Sequence, residues 1–474
     1  MDRLSFLKLT GLAFGSLRFP ALSYSNNRLA NFVSRRPLPE NRKFTSKAVE
    51  LTIVKVKEAI QNPELAWLFE NCFPNTLDTT VDFRIKDNRP DTFVITGDIH
   101  AMWLRDSSAQ VWPYLPLLNK DNDLKQLIKG LIYRQNALIQ IDPYANAFND
   151  GALGSQWESD LTDMKPDLHE RKWEIDSLCY PIRLAYHYYK ITSDTSPFDQ
   201  NWLKTAKIIV KTFKEQQRKD GQGPYHFMRT TPKATDTLPG NGYGNPVHPV
   251  GLICSSFRPS DDATIFPFLI PSNFFAVTSL KQMAEISQEV LKDEVFGNEC
   301  LHLAKEVELA LNSYAYAEHP KYGKILAFEV DGYVNQLFMD DANVPSLLSL
   351  PYLGCMDKED PVYLNTRNFI LSTDNPWYFK GKAVEGVGGP HVGIEMIWPM
   401  SITMRALTSN KDSEITACVR MLINTHAGTG FMHETFHKDD CMNYTRPWFA
   451  WANTLFGELI VKIYNEKKYL LETI

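Results

Sequence analysis

Asp121-Asn122-Asp123-Leu124-Lys125-Gln126-Leu127-Ile128-Lys129-Gly130-Leu131-Ile132 puts its large apolar residues at Leu124, Leu127, Ile128, Leu131 and Ile132. Steps of three and four residues lay one apolar stripe along a helix. The same spacing recurs at Trp202, Ala206, Ile209, Val210 and Phe213, at Cys300, Leu303, Ala304, Val307, Leu311 and Tyr314, and at Trp448, Ala452, Leu455, Phe456, Leu459 and Ile463. Strand-like alternation is sparse. Applied along the chain, the test predicts twelve helices, over residues 46–62, 101–118, 121–140, 174–193, 199–219, 272–290, 293–316, 343–352, 360–373, 393–408, 411–427 and 446–463.

The links between them set the arrangement. Those after the even-numbered helices are a few residues long, which makes antiparallel neighbours. Those after the odd-numbered helices are long and rich in Gly, Pro, Asp and aromatics: 63–100, 141–173, 220–271, 317–342, 374–392 and 428–445. If the helices run up and down in turn, all six long loops emerge at one pole, and loops of that length are uncommon unless they serve a function. The expectation is an all-α fold, an (α/α)6 barrel with long loops walling a cleft at one end. No segment has the composition of a flexible linker, so residues 26–474 are expected to form one barrel domain.

Composition narrows the function. The 474 residues carry 50 Lys and Arg against 56 Asp and Glu, and the basic residues form no dense run beyond Arg35-Arg36, which disfavours a nucleic-acid surface. Apolar content of 44% with 24 Gly and 28 Pro fits a folded globular chain and excludes collagen-like, coiled-coil and disordered classes. The seven cysteines (Cys72, Cys179, Cys254, Cys300, Cys355, Cys418, Cys441) are scattered, without a Cys-x-x-Cys clip, and read as mostly buried thiols. Residues 1–25 form a candidate signal peptide: Arg3 and Lys8 precede the modestly apolar Leu9–Leu22, interrupted by Arg18, and Ala21-Leu22-Ser23 offers small residues for cleavage. Arg3-Leu4-Ser5-Phe6-Leu7-Lys8 resembles a twin-arginine signal lacking its second arginine. Export to the periplasm is therefore expected, with a cytoplasmic protein as the alternative. No later run is long and apolar enough for a membrane span.

The long loops and the helix starts they feed concentrate unusual residues. They include Thr96 to Asp106, Glu174-Ile175-Asp176-Ser177, Arg258-Pro259-Ser260-Asp261-Asp262, Phe338-Met339-Asp340-Asp341-Ala342-Asn343, Glu385 to His391 and His433-Glu434-Thr435-Phe436-His437. Carboxylates, Arg and Asn grip vicinal hydroxyls, and indole faces stack on sugar rings, so the mixture points to a carbohydrate. Cleaving a glycosidic bond needs one carboxylic acid for the leaving oxygen and one carboxylate for water or the sugar. Blander readings compete. Asp106, Asp176 and Asp341 fall where acidic residues usually cap helices. Trp103 and Trp398 could belong to the core, and Gly386, Gly388 and Gly389 to tight turns rather than a phosphate loop, because no Walker lysine follows.

His433-Glu434-Thr435-Phe436-His437 also matches the His-Glu-x-x-His of zinc metallopeptidases, with Glu458 as a candidate third ligand. That motif must lie in a helix to bring both histidines onto one face. Gly428-Thr429-Gly430 before it and Lys438-Asp439-Asp440 after it leave little room for one, and Glu458 belongs to the following helix.

The runs Thr96-Gly97-Asp98-Ile99, Met102 to Gln110, Glu174 to Pro181, Phe257 to Ala263, Leu337 to Ser346, Gly389-Pro390-His391 and His433-Glu434 to Tyr444-Thr445-Arg446 resemble glycoside hydrolase family 125 from about residue 45 to the end. The resemblance implies an (α/α)6 barrel that removes terminal α-1,6-linked mannose with inversion, needs no metal or other cofactor, and takes mannose-containing oligosaccharides such as N-glycan or mannan fragments. It further implies Asp261 as general acid, with Asp262 in reserve, and Glu434 as general base. Arg105 and Asp106 would hold the nonreducing sugar, with Asp341, His391 and Arg446 as further contacts. His100, where the resemblance leads one to expect proline, and Thr435, where serine is usual, depart from the pattern and bear on subsite shape. In an extended Arg-Pro-Ser-Asp-Asp loop, only one of the two neighbouring aspartates would face the bond. Inversion requires Asp261 protonated near neutral pH, which burial and nearby carboxylates favour. It also requires an ionised Glu434 about 6.5–9.5 Å away, leaving room for water. A phosphorylase using phosphate in place of water lacks a dedicated Lys or Arg cluster, and a noncatalytic sugar-binding barrel would have no need of both Asp261 and Glu434.

Overall fold

The apolar stripes become helices in the computed structural model, which describes residues 32–474; the candidate signal peptide lies outside them. Thirteen α-helices occur among the described residues: α1 Lys47–Ala59, α2 Pro63–Cys72, α3 Asn75–Thr79, α4 Leu104–Val111, α5 Asn122–Ile141, α6 Ile175–Thr192, α7 Gln200–Gln216, α8 Ile270–Glu289, α9 Glu294–Tyr314, α10 Pro361–Ile370, α11 Pro399–Leu407, α12 Asp412–Ile423 and α13 Ala450–Glu466. The stripe on α5 is buried as the spacing demands, as is that on α7. Burying a large apolar side chain is worth about 1.5–3 kcal/mol, so such stripes dominate the packing.

An inner ring forms where α4 packs against both α13 and α6, α6 against α8, and α11 against α13. Outside it, α9 covers α8, α12 covers α11, and α5 and α7 lie together behind α6 and α8. Inner and outer elements alternate along the chain, which is the (α/α)6 barrel. Residues Ser34–Ile474 form one compact unit. No helix among the described residues is long and apolar enough to cross a membrane. Five of the cysteines are buried and Cys355 and Cys441 are half-buried; none is paired.

Three expectations are corrected. The inner place between α8 and α11 is filled not by a helix over 343–352 but by a chain of turns. Pro345 and Pro351 lack the N–H a helix needs, and the Asp340 carboxylate takes the N–H groups of Leu347 and Leu348 at 2.8 and 3.0 Å. Ser346 and Ser349 satisfy each other's backbone, and the segment is tied to α6 by Tyr180 and to α13 by the Tyr352–Glu458 hydrogen bond. The helix expected over 393–408 begins only at Pro399, whose fixed φ suits a first helical position. The loop 63–100 is not irregular: it contains α2, α3 and a hairpin pairing Val81–Lys86 with Arg89–Val94 around the left-handed residues Asp87 and Asn88.

Short strands also interrupt the all-α picture. Three small sheets lead directly into inner helices. Met102–Trp103 pairs with Ala147–Phe148 before α4, Phe268–Leu269 with Glu329–Val330 before α8, and Met396–Ile397 with Thr435–His437 before α11. They fix how the chain enters the ring and so aim the first turns of those helices.

Candidate active site

The inner helices start at one pole, around a cavity of about 380 Å³. Its wall takes Thr96 and Ile99 from the loop before α4, Trp103, Arg105 and Asp106 from the start of α4, and Pro259, Ser260 and Asp261 from the loop before α8. Asn343, His391, Val392, Trp398, Glu434, Arg446, Phe449 and Trp451 complete it. Of the expected site residues, Arg105, Asp106, Asp261, His391, Glu434 and Arg446 therefore share one cleft. Trp103 and Trp398 are buried, as a core role demands, and also wall the cleft, Trp103 from a small apolar cluster with Ala101 and Ala147. The loop 141–173 stands behind the wall, where Asn146 Nδ2 donates to Asp261 at 3.2 Å and Lys172 Nζ to the Asp261 carbonyl at 3.0 Å.

Asp341 is not in the wall. Its Oδ1 accepts from the backbone and side chain of Asn343 at 3.0 and 3.1 Å, so Asp341 aims the neighbour that does reach the cleft. Gly389 makes room for this: a Cβ there would stand 3.0 Å from the Asp341 carboxylate oxygens. The expected capping roles of Asp106, Asp176 and Asp341 are likewise replaced. Asp106 and Asp176 sit inside first turns and face Arg105 at 3.5 and 3.1 Å.

Arg258 to Asp262 is a tight turn, not an extended loop: Asp261 N–H reaches the Arg258 carbonyl, and Arg258 N–H the Asp262 carbonyl. Asp261 is left-handed, with φ 66°, which projects it into the cleft. Asp262 is buried behind, beside Lys233 at 3.3 Å and His391 at 3.6 Å. Burial works against the His391 cation, but the Asp262 hydrogen bond and charge outweigh it and hold the imidazole above its usual range.

The electrostatics of Asp261 differ from expectation. Burial opposes its charge, but Lys172 and Arg105, with hydrogen bonding from Glu174, more than compensate and keep Asp261 below the ordinary carboxylate range. The fully buried Glu174 goes the other way, driven well above its range by burial despite Arg105 at 2.6 Å. Burial also pushes Asp106 up to about 6.

Glu434 lies on the opposite arm, just before the strand Thr435–His437, with Thr445 Oγ1 donating to one carboxylate oxygen at 2.9 Å and Arg446 to the other at 3.3 Å. Arg446 is gripped by Asp98, Nε to Oδ1 at 3.0 Å. Gly97 makes that grip attainable: its φ is 129°, and any Cβ would meet the Trp448 carbonyl at 2.5 Å where the chain runs beside Phe449. The strand also disposes of a zinc helix. His433 stacks on Tyr444 with centroids 3.9 Å apart, His437 meets Glu395 at 3.2 Å, and Glu458 bonds Tyr352, so the three point to separate partners. Burial pushes His433 down to about 4. Among the described residues no group of three or more His, Cys, Asp or Glu is placed to hold a metal ion.

Paired carboxyls from two loops in an aromatic, partly closed cleft suit glycoside hydrolysis. The family model for metal-independent α-mannosidases, GH125, matches residues 62–461. The chain belongs to GH125. It is therefore a glycoside hydrolase of the metal-independent α-mannosidase family. The Schizosaccharomyces pombe meiotically up-regulated gene 157 protein is 43% identical over 457 residues, covering 92% of this chain and 90% of its own. A solved Streptococcus pneumoniae structure from the same kind of metal-independent α-mannosidase, in a non-productive complex with α-1,6-mannobiose, is 40% identical. It superposes with a TM-score of 0.86 over 90% of this chain and 100% of its own. A bacterial glucoamylase with acarbose shares the fold at 12% identity and a TM-score of 0.53, covering 88% of this chain and 58% of its own.

Sequence reasoning gave no role to Glu174, Lys172, Asn146 or Asp98. Glu174 stood in view within Glu174-Ile175-Asp176-Ser177, but its contact with Arg105 spans 69 residues, and no local pattern reports such a contact.

Proposed function

We propose that this GH125 enzyme is an exo-acting α-1,6-mannosidase that hydrolyses terminal nonreducing α-mannose with inversion. Asp261 protonates the leaving oxygen, and Glu434 takes a proton from the water that attacks C1 from the other face. The observation that carries the reading is that Asp261 and Glu434 stand in the wall of the same cavity, on loops that precede different inner helices. Arg105, Asp106, His391, Asn343 and Arg446 line it between them and offer donors and acceptors to sugar hydroxyls. Trp398 Nε1 is buried without a hydrogen-bond partner, which suits a polar ligand. The pneumococcal relative's α-1,6-mannobiose complex supports the choice of linkage.

Proton NMR of the purified enzyme on α-1,6-mannobiose in excess EDTA tests it. The expected first product is β-mannose, before mutarotation equilibrates the anomers. Early α-mannose would mean retention and a different use of the two carboxyls. No hydrolysis in EDTA, with peptide cleavage after zinc is restored, would overturn the reading altogether.

A further inference from the structure

Arg105 sits at the centre of an unbalanced cluster. It faces Asp106 from its own helix, Glu174 and Asp176 from the start of α6, and Asp261 from the loop before α8, at 2.6–3.6 Å: one guanidinium for four carboxyls. From the segment behind the wall, Lys172 adds positive charge beside Asp261 but also serves Glu170 and Asp236, while His169 looks on from the strand Leu168–Glu170 and His391 from the loop before α11. Four charges of one sign cannot all persist there, so the cluster retains protons.

The geometry says where one of them sits. Glu174 is fully buried, and its Oε2 accepts from Arg105 at 2.6 Å and from Ser177 Oγ at 2.8 Å. Its Oε1 meets no N–H or O–H donor among the described residues. Arg105 brings a second carboxyl beside this one, its Nη1 holding Glu174 and its Nη2 standing 3.6 Å from Asp261 Oδ1, and the Glu174 and Asp261 side chains hydrogen-bond to each other. Two carboxyls share a hydrogen bond only when one of them carries a proton. The Asp261 carboxylate opens on the cleft, accepts from Asn146 and lies beside the Lys172 charge, whereas Glu174 Oε1 has no donor, so the proton rests on Glu174.

We propose that Glu174 is a positioning residue that stores the proton of the acid: its carboxyl donates to Asp261 in the free enzyme, and a sugar that expels water from the cleft moves that proton onto Asp261. This rests on Asp261 being the acid. The step balances. The proton passes from Glu174 Oε1 to Asp261, leaving the Glu174 carboxylate against Arg105 and Ser177. Asp261 then gives the proton to the glycosidic oxygen as the C1–O bond breaks toward that oxygen. Glu434 removes one proton from the attacking water and later releases it to solvent, and the Asp261–Glu174 pair takes one back from solvent when the product leaves.

The test compares kcat/KM against pH for α-1,6-mannobiose and for 2,4-dinitrophenyl α-mannoside, whose leaving group needs no proton. In Glu174→Gln the amide donates to Asp261 permanently and cannot hand over a proton. The expected loss is ~100-fold on mannobiose near neutral pH and under about threefold on the aryl mannoside. The alkaline limb should move down by about one pH unit. Glu174→Asp keeps a transferable proton and should restore part of the mannobiose rate and of the limb. If Glu174→Gln does not fold, Glu174→Asp carries the test alone: its alkaline limb should be displaced from wild type while aryl mannoside turnover is kept. Equal losses on both substrates, or an unmoved limb, overturn the proposal. Asp261→Asn on the same two substrates separates the two ideas: if it fails to lose mannobiose turnover selectively, the assignment of the acid falls, whatever Glu174 does.

Discussion

Outer and inner helices of this barrel begin in different ways. Asp121, Asp199, Asp293 and Asp360 close the first turns of α5, α7, α9 and α10, each accepting backbone N–H groups that would otherwise have no partner. The inner helices α4, α6, α8, α11 and α13 start from Trp103, Glu174, Leu269, Trp398 and Phe449, none of which caps with its side chain. Among outer helices, α12 alone of these later pairs lacks a side-chain cap, at Lys411. At the outer starts the side chains stabilise the helix. At the inner starts Trp103, Trp398 and Phe449 line the cleft and Glu174 holds Arg105, so the chemistry sits where ordinary capping contacts have been given up.

The largest effect that would sharpen this contrast comes from the cleft carboxyls. Asp261→Asn and Glu434→Gln should each lower kcat on α-1,6-mannobiose by at least ~100-fold, the scale of general acid–base catalysis. Both substitutions are close in shape, and both residues open on the cleft, so thermal melting should stay within a few degrees of wild type. Near-normal turnover in either variant would remove that residue from the mechanism.

Arg105→Ala should damage both stability and activity. Removing one partner of a buried ionic cluster costs about 3–5 kcal/mol, because the remaining charges are left uncompensated. Without the guanidinium, Glu174, Asp176, Asp106 and Asp261 would hold protons more tightly folded than unfolded. The variant should therefore regain stability as pH falls, the reverse of a protein losing a carboxylate salt bridge. Denaturant melts at pH 7 and pH 5 decide this, and a variant equally destabilised at both would show that Arg105 acts by packing alone.

The contrast also explains what the sequence could reveal. The outer helices obey local rules: an apolar stripe of steps three and four, and Asp three residues before its first member, as in Asp121 before Leu124. Six loops at one pole were legible from link lengths, and so was the gathering of Asp261, Glu434, Arg105 and Arg446, through resemblance to a family. The same local rules misread the inner elements. Asp106 and Asp176 look like caps because an acidic residue at a helix start usually is one, and only the distant Arg105 contacts redirect them. The segment 343–352 has helix-like apolar content, yet its backbone donors go to Asp340 and to serine hydroxyls. The tight turn at Arg258–Asp262 and the Glu174–Asp261 pairing depend on contacts across the barrel, which spacing along the chain does not encode.

A smaller effect is expected from pH acting on Asp106, which burial pushes up to about 6. An unfolded aspartate titrates near 3.9, so the folded protein bears the cost of this buried charge fully above pH 6 and sheds it as pH falls through 6 toward 4. For this group, folding is favoured more at pH 5 than at pH 7. Binding should run the other way, since an ionised Asp106 is the better acceptor for sugar hydroxyls: KM should rise as pH falls through 6. Asp106→Asn fixes the group neutral, so its KM should exceed wild type by up to about tenfold at pH 7, the worth of one good hydrogen bond to a charged group, and converge with it below pH 5. A KM equal to wild type at pH 7 would move Asp106 from the binding surface to the supporting frame.

The smallest effect tests the other side of the contrast. Asp199 caps α7 by accepting from Asn201 and Trp202 at 2.9 and 3.0 Å, and its second oxygen meets Arg89 at 3.0 Å in a pair that is about 40% exposed on each side. Such an exposed pair adds little, so nearly all the loss in Asp199→Ala should come from the cap, about 1 kcal/mol in a denaturant melt. An outer start that serves only its helix has no route to the cleft, and kcat/KM should stay within twofold of wild type below the melting transition. If Asp199→Ala changed kcat/KM several-fold while the protein remained folded, the outer ring would be setting the geometry of the inner starts. The division between capped outer helices and chemically committed inner ones would then describe a single coupled structure.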